Sequence, residues 1–100
     1  METLQAIRLT KEEVQEIVKR STYCDIEDIS EDTEFPIQTE EESLKGRDTI
    51  YYRFAFKRGE DLYGLEVPFN LRECVFEYEP TTAYKVEIVT VSRKELRVVR

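Results

Sequence analysis

Residues 24–35 read CDIEDISEDTEF, six carboxylates in twelve positions with no Lys or Arg among them. Carboxylates at that density can ligate a hard cation, share a proton as an acid/base pair, or present a negative field to a basic partner. The calcium reading needs an alternating D-x-D-x-D-G loop with a sharp-turn glycine, and the stretch has neither. The acid/base reading needs one pair set apart from its neighbours, and here no pair stands out from the rest. What remains is a solvated acidic face or a surface that meets cations on another protein.

The run extends beyond that stretch. Residues 21–44 hold nine acids, Asp25, Glu27, Asp28, Glu31, Asp32, Glu34, Glu40, Glu41 and Glu42, and not one base. The other thirteen acids of the chain face fifteen bases, so the net charge of −7 divides into −9 in this segment and +2 elsewhere. Like charges such as Glu27 with Glu31, or Asp28 with Asp32, cost a few tenths of a kcal/mol per pair on a helix, less in salt. Carboxylates so placed stand on the order of 6 Å apart, comparable to the phosphates of one nucleic-acid strand.

Other chemistry is thinly supplied. The 100 residues include no His, three Gly and two Cys. Without His the commonest general base and triad partner is missing, and no phosphate-binding, dinucleotide-binding or nucleophile-elbow motif occurs. Cys24 and Cys74 form no CxxC pair and cannot complete a tetrahedral zinc site between them. Free thiols in a reducing cytoplasm are expected, with a disulfide as the open alternative. No cofactor and no catalysis are expected. An acidic chain with a pI near 4.7 is poorly suited to bind nucleic acid or an anionic membrane directly. The N-terminus shows no basic stretch followed by an apolar run, and no stretch of eighteen apolar residues occurs, so a cytoplasmic location is expected.

The elements that must position the acids belong to one domain spanning residues 1–100, with 21–46 weakly regular. A short strand is expected over residues 4–9. A helix over residues 11–20 follows, opened by a capping box of Thr10 and Glu13, with Leu9 and Val14 as staple and Val14, Ile17 and Val18 as one apolar stripe. Ile26 and Ile29 suggest a turn or two of helix starting near Asp25, with Phe35 and Ile37 in the core. Thr39 with Glu42 repeats the capping signal, and Gly46 suits the end of a short helix.

Beyond residue 46 the period becomes two. Ile50, Tyr52, Phe54 and Phe56 alternate with Tyr51, Arg53, Ala55 and Lys57, and Tyr63, Leu65, Val67 and Phe69 answer them across a turn at Arg58-Gly59-Glu60-Asp61. A second hairpin is expected from Cys74, Phe76 and Tyr78 through Glu79-Pro80-Thr81-Thr82 to Tyr84, Val86 and Ile88, with a bulge near Val89 and Val91 and a last strand over 96–99. The sum is an α+β fold, one N-terminal helix packed on an antiparallel meander sheet of four to five strands, with a strongly curved sheet or half-barrel as the variant form.

The expected function is that of a small acidic inhibitor or adaptor. The nine carboxylates, flanked by Tyr23 and Phe35 as anchors, would engage a basic, nucleic-acid-binding site on a partner protein. DNA-mimic, anti-restriction, anti-CRISPR and immunity proteins share this size and charge, a likeness of type carried by those two properties alone. The alternative is a non-catalytic accessory domain that oligomerises or docks a partner through its sheet edge. A third reading makes Tyr51, Tyr52, Arg53 and Lys57 a stacking platform for single-stranded nucleic acid, although the glycine of an RNP1 strand is missing.

Overall fold

The computed structural model describes residues 5–45, 48–90 and 94–99. The first twenty residues obey their local signals. β1 (Ala6–Leu9) leads into α1 (Lys11–Arg20). Glu13 N donates to Thr10 Oγ1 at 3.2 Å, and Thr10 N donates to the Glu13 carboxylate at 2.9 Å. A cap of this kind contributes about 1 kcal/mol. Leu9 and Val14 are fully buried on either side of it, and Ile17 and Val18 extend their stripe over the same core.

The sheet departs from the expected meander. It comprises β2 (Thr22–Tyr23), β3 (Ile37–Lys45), β4 (Thr49–Arg58), β5 (Asp61–Asn70), β6 (Val75–Phe76), β7 (Thr81–Thr90) and β8 (Lys94–Val98) in addition to β1. Among the described residues eight strands run in the order β1-β7-β5-β4-β3-β2, with β6 on β5 and β8 on β7. One pair, β2 with β3, is parallel. The fold is therefore a sheet-rich α+β fold with a mixed sheet and one helix, not a helix on a four- or five-strand meander.

Three local readings fail with it. Residues 37–45 form a strand against β4 where Thr39 and Glu42 suggested a helix start. That capping signal had no apolar stripe behind it, and pairing with the apolar edge of β4 outweighs it. Gly46 lies outside the described residues. The second hairpin does not form: β6 is two residues long and pairs with β5, while β7 pairs with β5, β1 and β8. Alternation at period two shows that 74–88 favours strands without saying which neighbour each takes. The helical turn expected near Asp25 does form, as a single 3₁₀ turn, Ile26–Asp28, with Asp25 as its cap. The bulge expected near Val89 is absent from the described part of β7, whose pairing with β8 runs without a register shift from Val86 to Thr90; Val91 lies outside the described residues.

The first hairpin is as expected. β4 and β5 pair without interruption from Thr49–Asn70 to Arg58–Asp61, and Gly59 in the tight turn takes φ +66°, a conformation that costs glycine little. Lys85 N donates to Gln5 O and Val99 N donates to Lys85 O, so β1 and β8 lie end to end along one edge of β7.

The sheet is covered on both faces, which explains three consecutive buried residues, Phe54, Ala55 and Phe56. On one face, Phe54, Phe56, Leu65, Val67 and Ala83 meet Leu9 and Val14 from the helix side. The opposite face buries Ile37, Ala55, Val86 and Leu96 against Ile29. Ala55 and Gly64 stand opposite each other in the register, and their small size lets β7 cross closely: a Cβ on Gly64 would lie 3.1 Å from Val86 Cγ1.

Candidate functional site

The acidic segment between β2 and β3 is the piece that closes the second core. Thr22 N donates to Pro36 O at 3.3 Å and Cys24 N to Gln38 O at 3.0 Å, which lays the start of the segment alongside its own end. The Phe35–Pro36 peptide is cis. Asp25 then caps the 3₁₀ turn, its Oδ1 accepting from Glu27 N at 3.0 Å, while Asp28 N donates to Asp25 O at 2.8 Å. A second turn is closed by Ser30 and Thr33: Ser30 N donates to Thr33 Oγ1 at 2.8 Å, and Thr33 N returns to Ser30 O at 3.2 Å.

Apolar side chains placed between the acids fix this chain to the sheet. Ile29 is 5% exposed, and Cys24, Ile26 and Phe35 pack around the same cluster with Val86, Leu96 and Val98. The 3₁₀ turn rests on β8. Glu27, Asp28, Glu31, Asp32 and Glu34 are exposed, and Asp25 is half-buried in its capping role. The segment thus has an apolar underside and a carboxylate upper side.

Of the nine acids, six lie on this loop, and Glu40, Glu41 and Glu42 follow on β3, where the pairing with β4 shifts register between Gln38 and Glu42. Tyr23, on the parallel strand β2, is 57% exposed. Phe35 is half-buried, with Lys57 Nζ 5.2 Å from its ring centroid. Lys57 also lines, with Arg20, a cleft of about 220 Å³ beside Pro36, so cations border the far end of the acidic run. Arg97 stands opposite Glu87 in the β7–β8 register, and Arg93 lies outside the described residues.

Charges elsewhere meet locally. Arg53 pairs with Glu66 at 3.6 Å, Arg58 with Glu13 at 3.5 Å, Arg72 with Asp48 at 3.5 Å and Lys85 with Asp61 at 3.5 Å. Exposed pairs of this kind contribute little to stability, about 0–1 kcal/mol each. They do hold Arg58, Arg72 and Lys85 to acids outside the segment. The field of the segment also reaches its own thiol: burial first, then the charges of Asp28 and Asp25, push the Cys24 thiol above its ordinary pKa. Both cysteines are free, and Cys74 is exposed.

β4 does not present the flat aromatic face that a stacking platform needs. Tyr52 is turned into an aromatic cluster, edge-on to Phe69 at 5.7 Å and to Phe76 at 5.8 Å. Arg53, on the other face, is tied to Glu66. Among the described residues no group of three His, Cys, Asp or Glu side chains is arranged to hold a metal ion, and no helix is long and apolar enough to cross a membrane. The chain matches no family model, no curated protein and no solved structure.

Sequence reasoning found the acids and the turn at Asp25 but missed a groove on the same face of the sheet, where β5 and β7 separate beyond Gly64 and Tyr84. Its walls come from β4, β5, β7 and β8. The one local hint is Gly64 within an otherwise alternating strand, a position that marks close backbone approach.

Proposed function

We propose that this protein is a non-catalytic binding module, an inhibitor or adaptor whose carboxylate-rich segment engages a basic, nucleic-acid-binding surface of a partner protein. The observation that carries this reading is the two-sided build of residues 24–35: Ile26 and Ile29 face the sheet while Glu27, Asp28, Glu31, Asp32 and Glu34 face water. A loop already folded against a core has given up its conformational freedom before binding, so association costs less entropy. Carboxylates gathered on such a loop repel one another in the free protein and favour capture of a cationic surface. Steering by this field would raise the association rate and make it fall with ionic strength, since screening acts over about 10 Å at 0.1 M salt.

The test is capture from a lysate of the source organism on immobilised protein, washed through a salt series. A basic partner retained at about 50 mM salt and released by about 300 mM supports the reading. Retention that does not change with salt would direct attention to an apolar surface instead. The accessory-domain reading draws on the exposed Ile88 of the β7–β8 hairpin, at one end of the sheet. Light scattering across a concentration series tests its oligomeric form, a self-association indifferent to salt, and salt-independent capture tests the form that docks a partner at the sheet edge.

A further inference from the structure

β5 is paired with β4 along its whole length, but its other edge is divided between two short partners. β7 takes Tyr63 and Gly64, and β6 takes Phe69 and Asn70. The stretch 65–68 between them, about 13 Å of strand, borders an open groove of about 300 Å³.

Antiparallel pairing sends the N–H and C=O of alternate residues to opposite edges of a strand, and the hydrogen bonds fix which edge each takes. Glu77 N donates to Pro68 O at 2.8 Å, so the even-numbered residues of β5 face away from β4. Lys85 N donates to Gln5 O at 2.8 Å and Val99 N to Lys85 O at 2.9 Å, so the odd-numbered residues of β7 face β1 and β8 and the even-numbered ones face β5. Gly64 and Tyr84 meet on that side, and the pairing ends there. The next residues in turn, Glu66 on β5 and Thr82 on β7, therefore aim their main-chain groups into the groove from its two sides, and both line it. Pro68 has no N–H to place on this edge and its carbonyl is taken, which leaves the Glu66 N–H as the unmet donor of β5 there.

We infer that this opening is a docking site for an extended peptide segment of a partner protein, which enters as one short strand between β5 and β7. One edge of the peptide main chain bonds Glu66 and the other bonds Thr82, which completes pairing that the sheet leaves undone. The missing Cβ of Gly64 keeps the closed end low, so a side chain on the open face reaches the apolar wall of Val86, Leu96 and Val98. On the opposite face Leu65, Val67 and Ala83 are already packed in the core, so the peptide side chains there must be small. The site takes nothing from the carboxylates of the acidic segment, and it lies within the sheet, not at its outer edge.

The probe is acetyl-Ala-Val-Ala-amide, with small residues for the packed face and Val for the open one, beside the same peptide N-methylated at all three residues. Each is titrated into the intact protein and followed by ¹H–¹⁵N correlation spectra. Saturable shifts at the amides of Gly64, Glu66, Thr82 and Tyr84 are expected, with the methylated peptide at least about tenfold weaker because its donors are gone. Before any peptide is added, the Glu66 amide should exchange at least about tenfold faster than those of Leu65 and Val67, which face β4, and the peptide should slow it. Thr82→Pro removes an N–H that the sheet does not use and places a ring in the groove, so the variant should keep its fold and lose the peptide. The site is refuted if Glu66 exchanges as slowly as its neighbours in the free protein, if the shifts fail to saturate or centre on exposed Leu71 and Val75, or if the methylated peptide binds as tightly. These wild-type measurements decide the matter even where the variant folds poorly.

Discussion

Replacing Ile29 by Ala removes three buried carbon groups from the underside of the acidic segment. At about 0.8 kcal/mol each, their transfer alone accounts for about 2.4 kcal/mol. Ile29 is 5% exposed and its neighbours Ile37, Val86 and Leu96 belong to strands held by main-chain pairing, so the site collapses poorly and a cavity adds to the loss. The expected destabilisation lies within about 2–5 kcal/mol. For a domain of this size, about 4 °C per kcal/mol corresponds to a drop in Tm of roughly 10 °C or more. Urea unfolding followed by far-ultraviolet circular dichroism measures the loss, and amide exchange at Asp28 and Ile29, which donate to Asp25 O and Ile26 O, reports whether the segment opens first. Ile88→Ala is the companion, since Ile88 is 37% exposed and should cost under about 1 kcal/mol. If Ile29→Ala costs less than about 0.5 kcal/mol, the segment is not part of the core and the pre-folded acidic surface is refuted.

Thr39 is 1% exposed, and its hydroxyl has no hydrogen-bond partner among the described residues, so the isosteric Thr39→Val should raise stability by about 1–3 kcal/mol; a lowered urea midpoint contradicts this. The Glu13 carboxyl sits below its ordinary range, chiefly because it accepts from the Thr10 amide, with Arg58 nearby adding to the effect. A lowered folded pKa means stabilisation present above the unfolded value and lost as pH falls through the folded one. Glu13→Gln should therefore be less stable than wild type at pH 7 and indistinguishable from it at a pH below the carboxylate range, as read from urea midpoints; a gap that persists in acid overturns the assignment. Exposed Cys74 should react with a disulfide reagent at pH 8 at least about tenfold faster than Cys24, whose thiol is half-buried and raised in pKa by burial and two carboxylates. Cys74→Ser should abolish the fast phase alone, and loss of the slow phase instead would reverse the assignment.

The parts of the fold legible in the sequence are those whose cause is local. Thr10 and Glu13 satisfy each other's amides, Leu9 and Val14 flank them, and Gly59 sits between two alternating arms of equal length. What could not be read depends on partners far along the chain. Two residues, Thr22 and Tyr23, carry no recognisable strand pattern, yet they pair in parallel with the start of β3. Thr39 and Glu42 imitate a helix cap while their backbone belongs to a sheet. Ala55 falls in the polar set of β4 by alternation, and is buried because Ile37 and Gly64 flank it on a face that sequence periodicity assigns to solvent. The same holds for the sites. Nine acids are visible at a glance, and Ile26 and Ile29 between them suggest a turn, but the surface on which those isoleucines rest is supplied by Val86 and Leu96. Arg8 and Thr82, whose side chains bond between β1 and β7, are 74 residues apart and carry no shared signature.

Charge reversal on the outer side of the segment tests the account most directly. Glu31, Asp32 and Glu34 are exposed, and their side chains take no part in the turn hydrogen bonds that Asp25, Ser30 and Thr33 make. The triple variant Glu31→Lys, Asp32→Lys, Glu34→Lys should fold with an unchanged circular dichroism spectrum and fail to retain the basic partner that wild type captures at about 50 mM salt. Undiminished capture by the folded variant would show that the carboxylates are a solvated face and that the partner binds elsewhere.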